Sequence, residues 1–156
     1  MPLSYFQWIE NSGIGQAIRS SNWMFPVIEA FHLAGLSLIG GAVLILDMRL
    51  FGMGLRQMPV ARLARAVQPF LNGSLGLMLT TGTLLFLSEA VKCYYSPAFW
   101  MKMIFLALAI IFTYTVQRRV ALADQAPGPF LSKLVGVVSV ILWAGVGIGG
   151  RWIAFQ

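Results

Sequence analysis

The chain has 156 residues, 58% of them hydrophobic and only 10% charged, and its mean hydropathy is +0.79. Soluble domains carry about 25% charged residues, so this composition excludes a soluble domain and predicts an integral membrane protein. The net charge of +6 does not indicate a nucleic-acid partner, because the basic residues lie between apolar segments, where they set topology. The expected partner is the lipid bilayer.

The N-terminal segment, residues 2–20, is predicted to lie on the membrane surface. Its aromatic residues Tyr5, Phe6 and Trp8 come before a polar break at Asn11, and aromatic side chains of this kind prefer the headgroup layer. We therefore expect a short interfacial helix there. The segment lacks a basic start followed by a continuous apolar run, so no signal peptide is apparent and the first spanning helix should direct insertion.

The first predicted span, roughly residues 22–47, contains the two residues on which the functional interpretation depends. They are a carboxylate, Glu29, and the only histidine of the chain, His32. They lie three residues apart and so share one face of a helix, and an ionisable residue inside a spanning segment indicates a functional site. The stretch from Asp47 to Gly52 is expected to end this helix at the opposite surface.

Three further spans are predicted at roughly residues 70–90, 98–117 and 131–153. The whole chain, residues 1–156, is thus expected to form one all-α transmembrane domain, a four-helix bundle. Before the second span, residues 59–67 alternate apolar and basic side chains at helical spacing, which predicts a separate interfacial helix. The fourth span is rich in glycine, and such small-residue faces favour close packing. We therefore expect a homo-oligomer or a larger membrane complex.

The distribution of basic residues predicts the orientation of the bundle. Under the positive-inside rule, the connections after the first and third spans lie in the cytoplasm, so both termini lie outside. Cys93, in the second connection, should then be reachable by labelling from outside. The basic residues of the two inner connections are Arg49, Arg56, Arg62, Arg65, Arg118, Arg119 and Lys133, against Lys92, Arg19 and Arg151 elsewhere near the helix ends.

This orientation brings the charges within the spans to the outer half of the membrane. Glu29 and His32 lie in the outer part of the first span, and Glu89, Lys102 and Arg151 lie near the outer ends of the other three. Buried charges are costly unless paired, so Glu29 is expected to pair with Lys102 or, as a second candidate, with Arg151. Two other interpretations remain open. Glu89, Lys102 and Arg151 could instead extend their side chains to the headgroups, and Glu29 and His32 could form a structural polar network between helices.

His32 raises two kinds of cofactor. Imidazole is a usual axial ligand of haem b in helix bundles, and Gly35, one turn along, would leave room for the porphyrin edge. A bis-histidine haem needs a second imidazole. In this chain the second axial position would have to stay open, or be filled by a methionine or by His32 of another copy. A quinone needs fewer ligands, since His32 and Glu29 could exchange protons with its ring oxygens.

Other chemistries have less support in the sequence. A copper site is disfavoured because one histidine with scattered methionines offers no dense cluster of soft ligands. A single cysteine excludes an intrachain disulfide and a thiolate cluster. No serine or cysteine has a recognisable base partner, so nucleophilic catalysis is not supported.

Three short motifs stand out in the sequence: Pro26-x-x-Glu29-x-x-His32, Asp47-x-Arg49-Leu50-x-Gly52 and Pro97-x-Phe99-x-x-Lys102. With these motifs the chain resembles a family of small uncharacterised bacterial four-helix membrane proteins, which is distantly similar to the membrane domain of copper-resistance D proteins and to b-type cytochromes. The resemblance covers most of the chain and implies a multi-pass protein of the bacterial inner membrane, with a site built on Glu29, His32 and Lys102.

Two functions follow as expectations. The first is a small inner-membrane accessory subunit, without a catalytic motif of its own, in a redox or respiratory setting. Its cofactor-binding residues would be His32, Glu29, Gly35, Lys102 and Arg151, with His32 as a metal ligand only if haem is bound. The alternative is a small transporter or metal-handling protein in which Glu29, His32 and Lys102 form an ion or proton relay.

Overall fold

The structure, a computed structural model, describes residues 3–54, 57–123, 128–153 and 155. Within these ranges the regular elements are all helical. They are α1 (Leu3–Glu10), α2 (Gly13–Ser20), α3 (Met24–Leu50), α4 (Val60–Ser88), α5 (Ala90–Tyr95), α6 (Pro97–Phe112), α7 (Arg118–Leu122) and α8 (Pro129–Ile153), with a π-helical turn, Thr113–Gln117, joining α6 to α7.

Four helical units are long and apolar enough to cross a membrane: α3, α4, the continuous unit Pro97–Leu122 and α8. Each has 25 to 29 residues, and a spanning helix needs about 20. Large apolar side chains such as Ile104 and Ile148, each 61% exposed, cover the outside of the bundle. The chain is therefore an all-α, multi-pass membrane bundle, which confirms the predicted fold class.

The core lies where α3 packs on α4 and on α8, and α6 packs on α8. On α3 the buried side chains recur every three or four residues, at Ile39, Val43, Leu46 and Leu50. This spacing places them on one face of the helix. Because this face packs against α4 and α8, α3 lies at the centre of the bundle, and the opposite side of α3 is exposed.

The second spanning helix begins earlier than predicted. α4 starts at Val60, so residues 59–67 form its first turns and the expectation of a separate interfacial helix is wrong. Leu63 and Val67 are buried and continue the apolar face that includes Leu71. Because the same helix face carries on toward the core, the helix has no reason to end between the basic and the apolar stretch.

The N-terminal segment forms two helices. α1 and α2 are separated at residues 11–12, and Ser12 Oγ accepts a hydrogen bond from the Gly15 N–H at 3.3 Å, which caps α2. Trp8 is 75% exposed, in keeping with a surface position, whereas Phe6 and Ile18 are 5% and 1% exposed. The segment is therefore packed against the bundle as well as placed at its surface.

Glu10 attaches this segment to the end of the bundle. One of its carboxylate oxygens pairs with Arg19 of α2. The other accepts a hydrogen bond at 2.6 Å from the backbone N–H of Val91, in the first turn of α5. The first N–H groups of a helix have no partner within the helix, and a carboxylate suits them by charge. A single side chain thus joins α1, α2 and α5.

Candidate functional site

His32 lies where α3 meets α4, and its ring is half-buried. Its Nδ1 atom is 3.0 Å from Thr81 Oγ1. The Thr81 hydroxyl donates its hydrogen to the Leu77 carbonyl oxygen at 2.6 Å, so toward the imidazole it can only accept. Nδ1 therefore carries the ring hydrogen, and in the neutral ring the lone pair is on Nε2.

Gly82, the residue after Thr81, leaves space for the imidazole ring of His32. A Cβ atom at Gly82 would lie 3.1 Å from His32 Cε1, so a larger residue would push the ring away. Within the part of the chain that the structure describes, the hydrogen-bond partners of the ring are the Thr81 hydroxyl, at Nδ1, and the backbone of Met78; a backbone carbonyl accepts, so Met78 can share only the ring hydrogen. The result is an oriented imidazole whose Nε2 is available to a hydrogen-bond donor or a metal.

Gly35, the predicted cofactor contact one turn along α3, lies against α4. It is buried, and a Cβ atom there would lie 3.4 Å from both the Met78 nitrogen and the Ser74 carbonyl oxygen. Its lack of a side chain lets the two backbones approach. The space in which a porphyrin edge was expected is filled by α4.

Lys102 lies in the contact between α6 and α8. A Cβ atom at Gly149 would lie 3.0 Å from Lys102 Cβ, and one at Gly150 would lie 3.5 Å from Nζ. These two glycines therefore accommodate the lysine along its length. Its ammonium group is near enough to His32 for the two charges to interact. Among the predicted site residues, Lys102 acts on His32 through its charge and not through a hydrogen bond or an ion pair in the described ranges.

Glu29 does not form the predicted ion pair. Its side chain is exposed, and no cation of the described ranges lies within 4.0 Å of its carboxylate. Three helical positions turn about 300°, so Glu29 sits roughly 60° around α3 from His32, outside the contact with α4. Arg151 is also exposed and places its guanidinium 5.0 Å from the centre of the Phe155 ring. The expected partners are thus apart.

The connection between α4 and α6 contains the remaining predicted charge, Glu89, which pairs with Lys92 at 3.9 Å. Cys93, in the same connection, is only 8% exposed. Burial raises the pKa of its thiol to about 11, and the negative charge of Glu89 adds to the effect. Because the thiolate is the reactive form, Cys93 is a poor target for the labelling from outside that the sequence predicted.

A second polar site lies in the core, near the other end of α3. Asp47, Gln117 and Ser139 are each 0% exposed. Gln117 Nε2 donates hydrogen bonds to Asp47 Oδ1 at 2.7 Å and to Ser139 Oγ at 3.1 Å. These residues come from α3, the π-helical turn and α8, so one amide group joins three spanning units.

The π-helical turn, Thr113–Gln117, places that amide. Turns of this kind interrupt α-helices mostly as single turns and occur often at functional sites. Thr113 Oγ1 accepts a hydrogen bond from Trp143 Nε1 at 3.1 Å. The turn is therefore fixed to α8 at both of its ends, by Trp143 on one side and Ser139 on the other.

α3 ends at Leu50, within the stretch 47–52 where the sequence predicted its end. Asp47 itself follows Val43 by four residues and precedes Leu50 by three, so it belongs to the buried face. That spacing is a signal by which sequence reasoning could have found it. Gln117 carries no comparable signal, because a π-helical turn changes the register of the helix.

One family model matches the chain almost throughout, over residues 5–156. The chain belongs to the family of unknown function DUF6644. The match includes all four spanning units and both polar sites of this DUF6644 protein, in keeping with the expected kinship to an uncharacterised family. No curated protein and no solved structure matches the chain. The comparisons show no link to copper-resistance D proteins or to b-type cytochromes.

Proposed function

We propose that this DUF6644 protein is a small accessory subunit of a redox or respiratory system in the bacterial inner membrane, and that it binds a quinone head group at His32. The observation that carries the proposal is the oriented imidazole. Thr81 accepts the Nδ1 hydrogen, and the lone pair of Nε2 remains available on a half-buried ring. Nε2 can therefore accept a hydrogen bond from the hydroxyl of a reduced quinone ring.

The surroundings of His32 suit a ligand that arrives through the lipid. Its chain neighbours Phe31 and Leu33 are 56% and 54% exposed, so the ring lies at the boundary between α4 and the outer surface of the bundle. A positive charge on Lys102 acts on the same site, and it would favour a ring oxygen that carries negative charge. An apolar tail would remain in the bilayer.

The described residues of one chain do not fit haem b. A single imidazole is present, and the face beside Gly35 is filled by α4. His32 is accordingly not assigned as an iron ligand, and the distant likeness to b-type cytochromes supports a redox setting only by analogy.

The second candidate is a transporter or metal-handling protein with Glu29, His32 and Lys102 as an ion or proton relay. One observation favours it, the electrostatic interaction between His32 and Lys102, since a relay needs coupled sites. Under this proposal, proteoliposomes should show a proton or cation flux that His32→Ala abolishes. The quinone site predicts no such flux.

The proposed partner is a second copy or a larger membrane complex. Three glycines of α8 that were expected to face a neighbour instead accommodate side chains of the same chain, because Gly136, Gly145 and Gly149 lie against Phe51, Phe105 and Lys102. The glycine positions of the spanning helices that remain open for close approach by another subunit are Gly40, Gly41, Gly73, Gly76 and Gly147.

Quinone binding in lipid nanodiscs tests the proposed function. A short-tailed ubiquinone and a short-tailed menaquinone are titrated into purified protein, and bound ligand is measured after separation. The wild type should bind one of them, and His32→Ala should weaken that binding about tenfold, the value of one hydrogen bond of roughly 1.4 kcal/mol. Thr81→Val should weaken binding less, because the ring is kept but no longer held in one tautomer.

Ser37→Ala provides the matched control. Ser37 is exposed on the same helix, and its hydroxyl donates only to the Leu33 carbonyl oxygen, at 2.9 Å. This variant should bind as the wild type does. Wild-type protein that binds neither quinone, or an unchanged affinity in His32→Ala, would show that His32 is not a quinone ligand.

A further inference from the structure

Two buried oxygen atoms of the core site lack a partner. Asp47 Oδ2 and Gln117 Oε1 are both inaccessible, and neither has a hydrogen-bond partner among the residues that the structure describes. Both side chains are 0% exposed. A buried acceptor without a donor costs about 1–3 kcal/mol, so two on adjoining side chains call for an explanation.

The orientation of the Gln117 amide is fixed by its other contacts. Nε2 has two hydrogens, and they are donated to Asp47 Oδ1 and to Ser139 Oγ. Exchanging the amide oxygen and nitrogen would place an oxygen against Asp47 Oδ1 and lose that bond. The unpartnered atom of Gln117 is therefore an acceptor, as is the unpartnered atom of Asp47.

Among the residues that the structure describes, no cation forms an ion pair with Asp47. Arg49, two residues along, donates to the Met58 carbonyl oxygen at 3.0 Å, and Arg118, next to Gln117, is exposed. The other neighbours of Asp47 on α3, Val43 and Leu46, are apolar and buried. Gln117 and Ser139 hydrogen-bond the carboxyl group, but an ionised carboxylate in this buried place would have no counter-ion among the described residues and would be more costly than a neutral acid.

We propose that Asp47 and Gln117 form a proton-binding site, in which one proton on Asp47 Oδ2 is donated to Gln117 Oε1. The carboxylate takes up one proton and becomes a neutral carboxylic acid, with no other bond made or broken. This proton turns one of the two unpartnered acceptors into a donor for the other. Together with the existing bond from Nε2 to Oδ1, it would close a ring of two hydrogen bonds between the side chains.

A proton suits the site better than a metal ion does. Calcium takes six to eight oxygen ligands and magnesium needs about six, in an octahedron. The core site offers two unpartnered oxygens and the hydroxyl of Ser139. A small cleft partly lined by Gln117 has a volume of about 10 Å³, room for about one water molecule. The polar residues of that cleft are Gln68, Thr113, Tyr114, Gln117 and Arg118.

Infrared spectroscopy of the purified protein in lipid tests this inference independently of quinone binding. At neutral pH the wild type should show the carbonyl band of a protonated carboxylic acid, and the band should shift when H₂O is replaced by D₂O. Asp47→Asn should lose it. Glu29→Gln, which removes an exposed carboxylate on the same helix, is the matched control and should keep it.

Gln117→Leu keeps the test decisive if Asp47→Asn fails to fold. It leaves the acid in place but removes its acceptor, so the band should persist at a shifted frequency. A wild-type spectrum without a protonated-acid band at neutral pH would overturn the proposal, as would a band unaffected by both core substitutions. A last experiment tests for a metal cation at the site by comparing thermal melts with sodium or with choline as the only added cation. A sodium-dependent rise in Tm that Asp47→Asn removes would assign the site to a metal cation instead.

Discussion

Substitution of Gly15 tests how the N-terminal helices α1 and α2 are attached to the bundle. A Cβ atom at Gly15 would lie 2.5 Å from the Leu87 carbonyl oxygen and 2.7 Å from that of Glu10. Both are backbone atoms that cannot rotate away, so Gly15→Ala must move α2 away from α4. Overpacking of this kind costs about 1–3 kcal/mol, and alanine regains about 0.5–1 kcal/mol over glycine in a helix. The expected net loss of stability is therefore about 0–2.5 kcal/mol, with a central value of about 1 kcal/mol.

Hydrogen exchange measured on peptides of α1 and α2 reports this local loss, because these helices can open without unfolding of the bundle. The central value of about 1 kcal/mol corresponds to exchange that is about 5 times faster. Gly13→Ala is the matched control: it lies in the same helix and has no atom within 4 Å of its Cβ position. Exchange that is equally fast in the two variants would refute the close contact between α2 and α4.

Three further predictions concern packing, reactivity and topology. Gly145→Ala should lower Tm in detergent, because its Cβ would collide with the Phe105 ring, whereas Gly147→Ala, with open space at the same position, should leave Tm unchanged; equal Tm values would contradict the packing of α6 on α8. Cys93 should react with a maleimide about a hundredfold more slowly at pH 8 than an exposed cysteine, and its rate should rise as pH approaches the thiol pKa of about 11; a fast reaction at pH 8 would show that α5 does not bury it. In a background of Cys93→Ser, an impermeant reagent added outside should label a cysteine at position 8 and miss one at position 57, both exposed positions; the reverse pattern would invert the predicted orientation.

The spanning helices were predictable because each depends on local composition. A long apolar stretch can satisfy its backbone in a bilayer only as a helix or a closed barrel, so the four spans follow from hydropathy alone. The start of α4 was not predictable in this way, because its first turns carry exposed basic residues such as Arg62 and Arg65. These turns continue the helix because Leu63 and Val67 are buried and pack against the other helices.

The candidate site was predictable only in part, because its partners are distant in the sequence. His32 stands out as the single histidine of an apolar stretch, but Thr81, which orients it, lies 49 positions away. Asp47 and Gln117 are 70 positions apart. The pairing of Glu29 with Lys102 failed for a related reason: placing charges at one depth does not place them on facing sides of their helices, and the exposed side of α3 carries Glu29.

The two polar sites occupy opposite ends of α3 and should act independently. His32 and Asp47 are separated by about 22 Å along the helix axis, at roughly 1.5 Å per residue, which is most of the thickness of a hydrocarbon core. The inward-facing residues between them are Gly35 and apolar side chains such as Ile39 and Val43, which cannot pass a proton from one site to the other. Because the sites share no partner, the changes in free energy of unfolding caused by His32→Ala and Asp47→Asn should add to within about 0.5 kcal/mol in the double variant. A larger deviation in thermal or denaturant melts would mean that a polar path along α3 couples the sites, and the relay would then become the better account of His32.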